Sequence, residues 1–216
     1  MKCISRVSRE IQPPDATTRG DMSLVSLPAR SMFVTVGTTE FDQLITKINS
    51  EMFLKCLEQS RITRLVVQIG RGTLEPMYLV ENCAHFGIAA SFFRFKGTLN
   101  DDMQASDIIV SHCGAGSILE ATAMGKPLIC VVNSSLQDNH QTELSGAVDA
   151  LNNPFLRATD PTNLLQAIRE LVDAIKGFDS SATSLHRIYE ADIFPIHNPD
   201  LFPSILSSSM FDFELN

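Results

Sequence analysis

Short β-rich runs alternate with segments of helical periodicity, and this pattern restricts the fold more than any other feature of the chain. The β-rich runs lie at 32–37, 65–69, 88–95, 107–111 and 127–132. Apolar residues recur at helical spacing in segments 42–60, 75–86, 99–105, 115–124, 141–151 and 161–175. Strands that alternate with helices form a parallel sheet covered on both faces. The sequence therefore predicts an α/β fold, a doubly wound parallel sheet of Rossmann-like type.

The periodic part of the chain occupies residues 32–178. Residues 1–31 mix Pro, Gly, Ser, Thr and Arg without a sustained period, which predicts a disordered arm or an insert. Asp160 is expected to cap the last helix of the domain, with Pro161 at its first position. Residues 179–216 are expected to form a linker followed by a short amphipathic helix within 200–210.

Composition excludes several classes of function. The formal net charge of the 216 residues is −8, which argues against nucleic acid or an anionic membrane surface as the main partner. The five cysteines include no CxxC pair, so we expect no metal site, and no cofactor is predicted. No apolar run approaches the ~20 residues that span a bilayer.

The loop after the fourth predicted strand has the composition of an anion site. Gly114, Ala115, Gly116 and Ser117 open the following helix, where small residues let a ligand approach and free N–H groups favour an anion such as a diphosphate. A tight strand–helix turn would also explain these residues. Glu120, one turn further, either complements the helix dipole or accepts hydrogen bonds from ribose hydroxyls.

Three further loops are expected at the same edge, because a doubly wound sheet binds its ligand at the carboxyl ends of its strands. Gly37, Thr38 and Thr39 follow the first strand, and Arg71 stands between two glycines after the second. Arg71 is a phosphate ligand, a member of a structural ion pair or a solvated loop residue. Asn139, His140 and Gln141 follow the fifth strand and suit the recognition of sugar hydroxyls, although His140 could equally be a helix cap.

A hydrolase is the alternative. The segment 111–115 has a small–x–nucleophile–x–small pattern between a strand and a helix, which is similar to the nucleophile elbow of α/β-hydrolases. Cys113 would be the nucleophile and His140 or His112 the base. No acidic third member stands out in the required chain order.

Six motifs, taken in order, resemble a known family. They are 33–39 (Phe-Val-Thr-Val-Gly-Thr-Thr), 68–73 (Gln-Ile-Gly-Arg-Gly-Thr), 111–117 (Ser-His-Cys-Gly-Ala-Gly-Ser), Glu120, 125–128 (Gly-Lys-Pro-Leu) and 139–144 (Asn-His-Gln-Thr-Glu-Leu). Over residues 32–150 the chain resembles the catalytic subunits of the eukaryotic two-subunit UDP-N-acetylglucosamine transferases of dolichol-linked oligosaccharide synthesis. These are similar to the C-terminal domain of glycosyltransferase family 28.

The resemblance implies the nucleotide-sugar half of a GT-B enzyme. It implies transfer of N-acetylglucosamine from UDP-GlcNAc to N-acetylglucosaminyl-diphosphodolichol with inversion, in a heterodimer with a membrane-anchored subunit, in the cytoplasm and at the cytosolic face of the endoplasmic reticulum. By motif, segment 114–117 would bind the diphosphate and Glu120 the ribose. Phe95 and Lys96 would border uracil, and His140 and Gln141 would read the sugar.

The chain departs from the family pattern at two places. A long insert separates Met1 from the first strand, and Cys113 stands where the family usually has Ala. The segment 198–210 resembles the helix with which the family docks its partner. Its expected apolar face consists of Leu201, Phe202, Ile205, Leu206 and Met210.

Overall fold

A six-stranded, all-parallel sheet forms the centre of the computed structural model, which describes residues 30–133, 146, 148 and 153–179. The strands are β1 (Arg30–Thr35), β2 (Ile62–Gln68), β3 (Ala89–Phe93), β4 (Ile108–Ser111), β5 (Leu128–Val131) and β6 (Leu156–Thr159). Their spatial order is β3-β2-β1-β4-β5-β6, and each neighbouring pair is parallel. This is the strand order of a Rossmann sheet. Strands β1 to β3 are added towards one edge of the sheet and β4 to β6 towards the other, so the order reverses between β1 and β4. The predicted doubly wound α/β fold is confirmed.

Helices connect the strands. They are α1 (Asp42–Ile48), α2 (Glu51–Gln59), α3 (Met77–Asn82) with a 3-10 helix directly after it (Cys83–Phe86), α4 (Asn100–Gln104), α5 (Ala115–Ala123) and α6 (Leu164–Asp179). No helix in these described ranges is both long and apolar enough to cross a bilayer.

Alternation along the strands divides the core into two layers. Met32 and Val34 of β1 face the layer that holds the buried residues of α1, α2 and α6, whereas Phe33 faces the layer of α4 and α5. Successive side chains of a strand point to opposite faces, so a fully buried run such as β1 requires helices on both sides. The first residue of β1, Arg30, is already buried, and the strand therefore begins two residues before the expected domain boundary at 32.

The segment 42–60 forms two helices, so the prediction of one helix there was wrong. Helix α1 ends before Asn49, and Ser50 is the extended N-cap of α2, with its Oγ accepting the Phe53 N–H at 3.3 Å. A serine that competes for backbone N–H groups favours this restart over a continuous helix.

Strand β6 is the element that the sequence did not predict. Leu156 is the only one of its four residues that is fully buried, and the strand lies at the edge of the sheet. The Asp160 carboxylate accepts the N–H groups of Thr162 and Asn163, at 2.6 and 3.1 Å. Helix α6 begins only at Leu164, so the prediction that Asp160 is its N-cap and Pro161 its first residue was wrong. The arm 1–29 and the segment 180–216, including the expected helix at 200–210, lie outside the described residues.

Candidate functional site

One row of the sheet sets the position of the candidate site. Thr35 of β1 is paired in register with Gln68 of β2 and with Ser111 of β4. All three are the last residues of their strands and all are buried. The loops that follow therefore leave the same edge side by side, at the point where the strand order reverses. In doubly wound folds this is the ligand-binding crevice.

The imidazole of His112 fills the space between two of these loops. A Cβ atom placed on Gly37 would lie 2.7 Å from Cε1 of His112, and one placed on Gly114 would lie 2.5 Å from Nε2. Gly37 also has a φ of +61°, which other residues rarely adopt. The two glycines and the histidine therefore form one packed unit, in which neither glycine tolerates a side chain.

Burial favours the neutral form of the His112 imidazole. Loss of solvation lowers the pKa of the ring below its ordinary value, and this outweighs the opposing effect of a backbone hydrogen bond with Thr35. Within the described residues, Nδ1 of His112 and the hydroxyl of Ser111 are buried without a hydrogen-bond partner. His112 had been considered only as the base of a hydrolase, and its contact with both glycine loops was not visible in the sequence.

The N-terminus of α5 presents free backbone donors to this crevice. Gly114 is the N-cap in an extended conformation, no side chain from the described part of the chain caps the helix, and its first turn holds no acidic residue. Gly116 is exposed and open space lies beside its Cα, while Ala115 and Ser117 are partly exposed. Uncapped N–H groups and the positive end of the helix dipole together favour an anion at this position.

Glu120 lies on the same side of α5 as Ser117, three residues further along the helix, and is exposed. The stabilising effect of a carboxylate on the helix dipole falls off within the first turn. Glu120 is the sixth residue of α5, which weakens the explanation that it merely complements the dipole.

The loops after β1 and β2 are joined to each other. The Arg71 N–H donates to the carbonyl oxygen of Thr39 at 2.9 Å, and a Cβ atom on Gly70 would approach that oxygen to 2.3 Å. The Thr39 hydroxyl donates to the Val36 carbonyl at 2.8 Å, so it stabilises its own loop. Thr38 and the Arg71 side chain are exposed at this edge.

Two residues that the sequence analysis did not single out, Asp42 and Arg94, brace the loop after β2. Asp42 accepts hydrogen bonds from the hydroxyl and N–H of Thr73, and Arg94 donates to the carbonyls of Gly70 and Gly72. Burial opposes ionisation of Asp42. The bonds from Thr73 and Leu74, with the charge of Arg94, nonetheless hold the pKa of the carboxyl below its usual value.

Phe95 and Lys96 lie at the carboxyl end of β3 and have different surroundings. Lys96 is paired with Asp102 at 2.7 Å, and its Nζ lies 4.0 Å from the centre of the Phe93 ring. Phe95 is 52% exposed, so its ring is accessible for stacking with a flat ligand.

Cys113 is not an accessible nucleophile. Its side chain is fully buried in the core layer that contains Phe33 and Ile109. Its φ of +62° is typical of a tight strand–helix turn and is rare for a non-glycine residue. The hydrolase alternative is therefore wrong, because its nucleophile would have to be reached by substrate.

Asn139, His140 and Gln141 lie outside the described residues, so their role remains a prediction. Among the described residues, no cluster of three or more His, Cys, Asp or Glu side chains could hold a metal ion.

The fold and this edge define a Rossmann-like α/β domain with a crevice at its switch point, where the N-terminus of α5 favours an anion. The model of the glycosyltransferase family 28 C-terminal domain matches residues 31–191. The chain belongs to this family. The domain built on the six-stranded sheet is the Rossmann-like half of a GT-B glycosyltransferase.

Two relatives of the chain carry the name UDP-N-acetylglucosamine transferase subunit ALG13. The human relative is 42% identical over 116 residues, which are 54% of this chain and 10% of the relative. The relative from Saccharomyces cerevisiae is 31% identical over 168 residues, covering 65% of this chain and 83% of the relative. The chain therefore spans about a tenth of the length of the human protein and most of the yeast one.

Two solved structures share the fold. The solution structure of ALG13 superposes with a TM-score of 0.55 at 23% identity and covers 83% of this chain and 96% of that one. The crystal structure of MurG from Acinetobacter baumannii superposes with a TM-score of 0.51 at 10% identity and covers 91% of this chain and 58% of that one.

Proposed function

We propose that this chain binds UDP-GlcNAc at the carboxyl edge of its sheet and is a subunit of a UDP-N-acetylglucosamine transferase. The acceptor is N-acetylglucosaminyl-diphosphodolichol, and the reaction adds a second N-acetylglucosamine to it with inversion. The observation that carries the proposal is the uncapped N-terminus of α5 beside the packed Gly37–His112–Gly114 unit.

The donor diphosphate occupies the first turn of α5. The N–H groups of Ala115, Gly116 and Ser117 and the Ser117 hydroxyl supply neutral donors, and the helix dipole favours the negative charge. Arg71, exposed on the neighbouring loop, supplies a cation at the same edge. Gly37 and Thr38 let the ligand lie close to the β1 loop.

The nucleoside lies beyond α5 and towards β3. Glu120 accepts hydrogen bonds from the ribose hydroxyls, since it is exposed and on the same face as Ser117. Phe95 stacks beside uracil, with Lys96 held close by its pairing with Asp102. Asn139, His140 and Gln141 read the hydroxyl and acetamido groups of the sugar.

Transfer itself needs an acceptor and a base near its hydroxyl. That oxygen attacks the anomeric carbon, UDP leaves with the bonding electrons, and the hydroxyl proton passes to the base. We infer that a membrane-anchored subunit supplies the facing half of the cleft, because the relatives are named as subunits and the acceptor is a lipid. The enzyme then works at the cytosolic face of the endoplasmic reticulum.

The proposal is tested by assaying GlcNAc transfer to the lipid acceptor with the chain alone, the membrane subunit alone and both together. Only the pair is expected to be active. Transfer by the membrane subunit alone at the rate of the pair, or absence of transfer by the pair with both proteins folded, would overturn the proposal.

The docking segment has its own test. Polar substitutions at Phe202 and Ile205 are expected to abolish co-purification with the membrane subunit while the isolated chain keeps its melting temperature. Unchanged co-purification would place the docking surface elsewhere. A large fall in melting temperature would instead place the two residues in the chain's own core.

A further inference from the structure

The loop after β2 has no regular structure of its own, yet close contacts with neighbouring elements hold it on both sides of Arg71. Gly70 has a φ of +56° and lies so close to Thr39 that a Cβ would come within 2.3 Å of its carbonyl oxygen. A Cβ on Gly72 would come equally close, 2.3 Å, to Oδ1 of Asp42. Both glycines are therefore required by contacts with neighbouring elements.

Arg94 connects β3 to this loop at three points. Its Nη1 donates to the carbonyls of Gly70 at 3.3 Å and of Gly72 at 2.7 Å, and its Nη2 pairs with Glu75 at 3.2 Å. The two carbonyls stand immediately before and after Arg71 in the chain. A guanidinium satisfies such a set with one planar group, which an ammonium does not.

Asp42 holds the far end of the same loop from the first turn of α1. Its carboxylate accepts from the Thr73 hydroxyl at 2.6 Å, the Thr73 N–H at 3.2 Å and the Leu74 N–H at 3.4 Å. The loop is thus fixed by the Arg94 cation, directly after β3, and by a carboxylate from α1. Fixing the backbone of several residues costs conformational entropy, which these charge-assisted bonds offset.

The side chain between these supports is the exposed cation of Arg71. No hydrogen bond or ion pair joins the Arg71 side chain to another residue of the described part of the chain. Its own N–H is bound to Thr39, so its backbone is fixed while its guanidinium is free to meet a ligand. A guanidinium that projects from a rigid backbone at the switch point suits a planar, multiply charged anion.

We propose that Arg94, with Asp42, is a positioning residue that holds Arg71 against a diphosphate. This inference rests on the proposed function. Strand β2 lies two strands from β4, a separation of about 10 Å, so the diphosphate could belong to the nucleotide sugar or to the lipid acceptor. Both ligands present the same chemistry to Arg71.

A double-mutant cycle tests the positioning role. We expect Arg71→Ala and Arg94→Ala each to lower kcat/KM about tenfold, the loss of one charge-assisted hydrogen bond. In the Arg71→Ala background, Arg94→Ala is expected to lower kcat/KM by less than a further factor of two, because the guanidinium that Arg94 positions is already absent. An equal, tenfold effect in both backgrounds, or no effect of Arg94→Ala, would overturn the proposal. A rise in the donor KM assigns the diphosphate to the nucleotide sugar, and a rise in the acceptor KM assigns it to the lipid.

Two further variants separate positioning from stability. Arg157→Ala is the matched control. Arg157 is also an ion-paired arginine, and its side chain is 32% exposed, against 40% for Arg94. It lies in β6, at the opposite edge of the sheet. This variant should leave kcat/KM within twofold of the wild type. Arg94→Lys retains the charge and should fold where Arg94→Ala does not. It is still expected to show the kinetic loss, and wild-type kinetics of a folded Arg94→Lys would contradict the need for a planar group.

Binding of inorganic pyrophosphate to the isolated chain tests the inference without transferase activity. Arg71→Ala and Arg94→Ala should each raise its dissociation constant about tenfold, with no further increase in the double variant. This result together with an inactive wild-type complex would uphold the positioning role and reject the proposed function. Unchanged pyrophosphate binding in both single variants, with an active complex, would reject the positioning role and uphold the proposed function.

Discussion

At the scale of single residues, Glu120 is the residue through which the proposed site would select a nucleotide. It is exposed, lies on the Ser117 side of α5 and is too far along the helix to act mainly on the dipole. A carboxylate in this place can accept two hydrogen bonds from adjacent ribose hydroxyls. Its contribution should therefore appear in donor binding and leave the fold unaffected.

Glu120→Ala is expected to weaken UDP-GlcNAc binding by about tenfold to a hundredfold, since a hydrogen bond to a charged group contributes about 1.5–3 kcal/mol. The melting temperature should change by less than about 2 °C, as for other exposed positions. Isothermal titration measures the affinity, and Glu58→Ala, an exposed carboxylate on α2, is the control. Unaltered affinity in the folded Glu120→Ala protein would remove this residue from the site.

His112 makes stability depend on pH in a defined direction. Burial lowers its pKa in the folded protein below the ordinary value of 6.5, so the unfolded chain binds more protons as the pH falls past 6.5. The free energy of unfolding should therefore be greatest above that pH and decrease below it. Asp42 and Asp160, whose pKa values lie below 3.8, do not titrate in this window.

Urea unfolding at pH 7.5 and pH 5.5 checks this expectation. The wild type should lose more stability between the two pH values than His112→Gln, which has no titrating ring between the glycine loops. The variant is expected to be less stable at pH 7.5, because it fills the space less well. Identical pH dependence of the two proteins would show that His112 is not buried as a neutral ring.

At the scale of elements, strands were easier to predict than the way that loops meet. Apolar runs identified β1 to β5. Of these, β1, β4 and β5 are almost entirely buried. The edge strand β3 has one buried residue but carries the aromatic pair Phe92 and Phe93. The edge strand β6 has only one fully buried residue and gave no such signal. The glycine loops at the site were found because their character is local. The Asp42–Thr73 and Arg94–Gly72 bonds join residues 31 and 22 positions apart, which no local pattern encodes.

The restart at Ser50 is the clearest test at this scale. Its Oγ accepts the Phe53 N–H and also donates to the Lys47 carbonyl at 2.8 Å, so one hydroxyl serves the end of α1 and the start of α2. Ser50→Ala should lower the free energy of unfolding by about 1 kcal/mol. Thermal or urea unfolding measures the loss. The control is Gln59→Ala, at an exposed position of α2 that caps neither helix. No loss of stability would show that the cap contributes nothing to the helix break.

At the scale of the whole molecule, the sheet places the loops of the candidate site at one edge, and the proposed function assigns the facing half of the cleft to another protein. This arrangement separates two properties. Under the proposed function, donor binding needs only the crevice of this chain, whereas transfer to a lipid needs the partner as well. Loss of the partner should therefore abolish transfer while donor affinity is retained.

Titration of the isotopically labelled chain with UDP-GlcNAc, followed by NMR, decides whether the crevice is a donor site. We expect saturable shifts of the amides of Ala115, Gly116 and Ser117, competition by UDP and no competition by a guanosine nucleotide sugar. Glu120→Ala should show the same shifts only at higher ligand concentration. The absence of saturable shifts at 115–117 would contradict the assignment of the α5 N-terminus as the donor site. So would shifts confined to the groove beside β6 and α6, whose lining includes Arg157, Thr159 and Gln166.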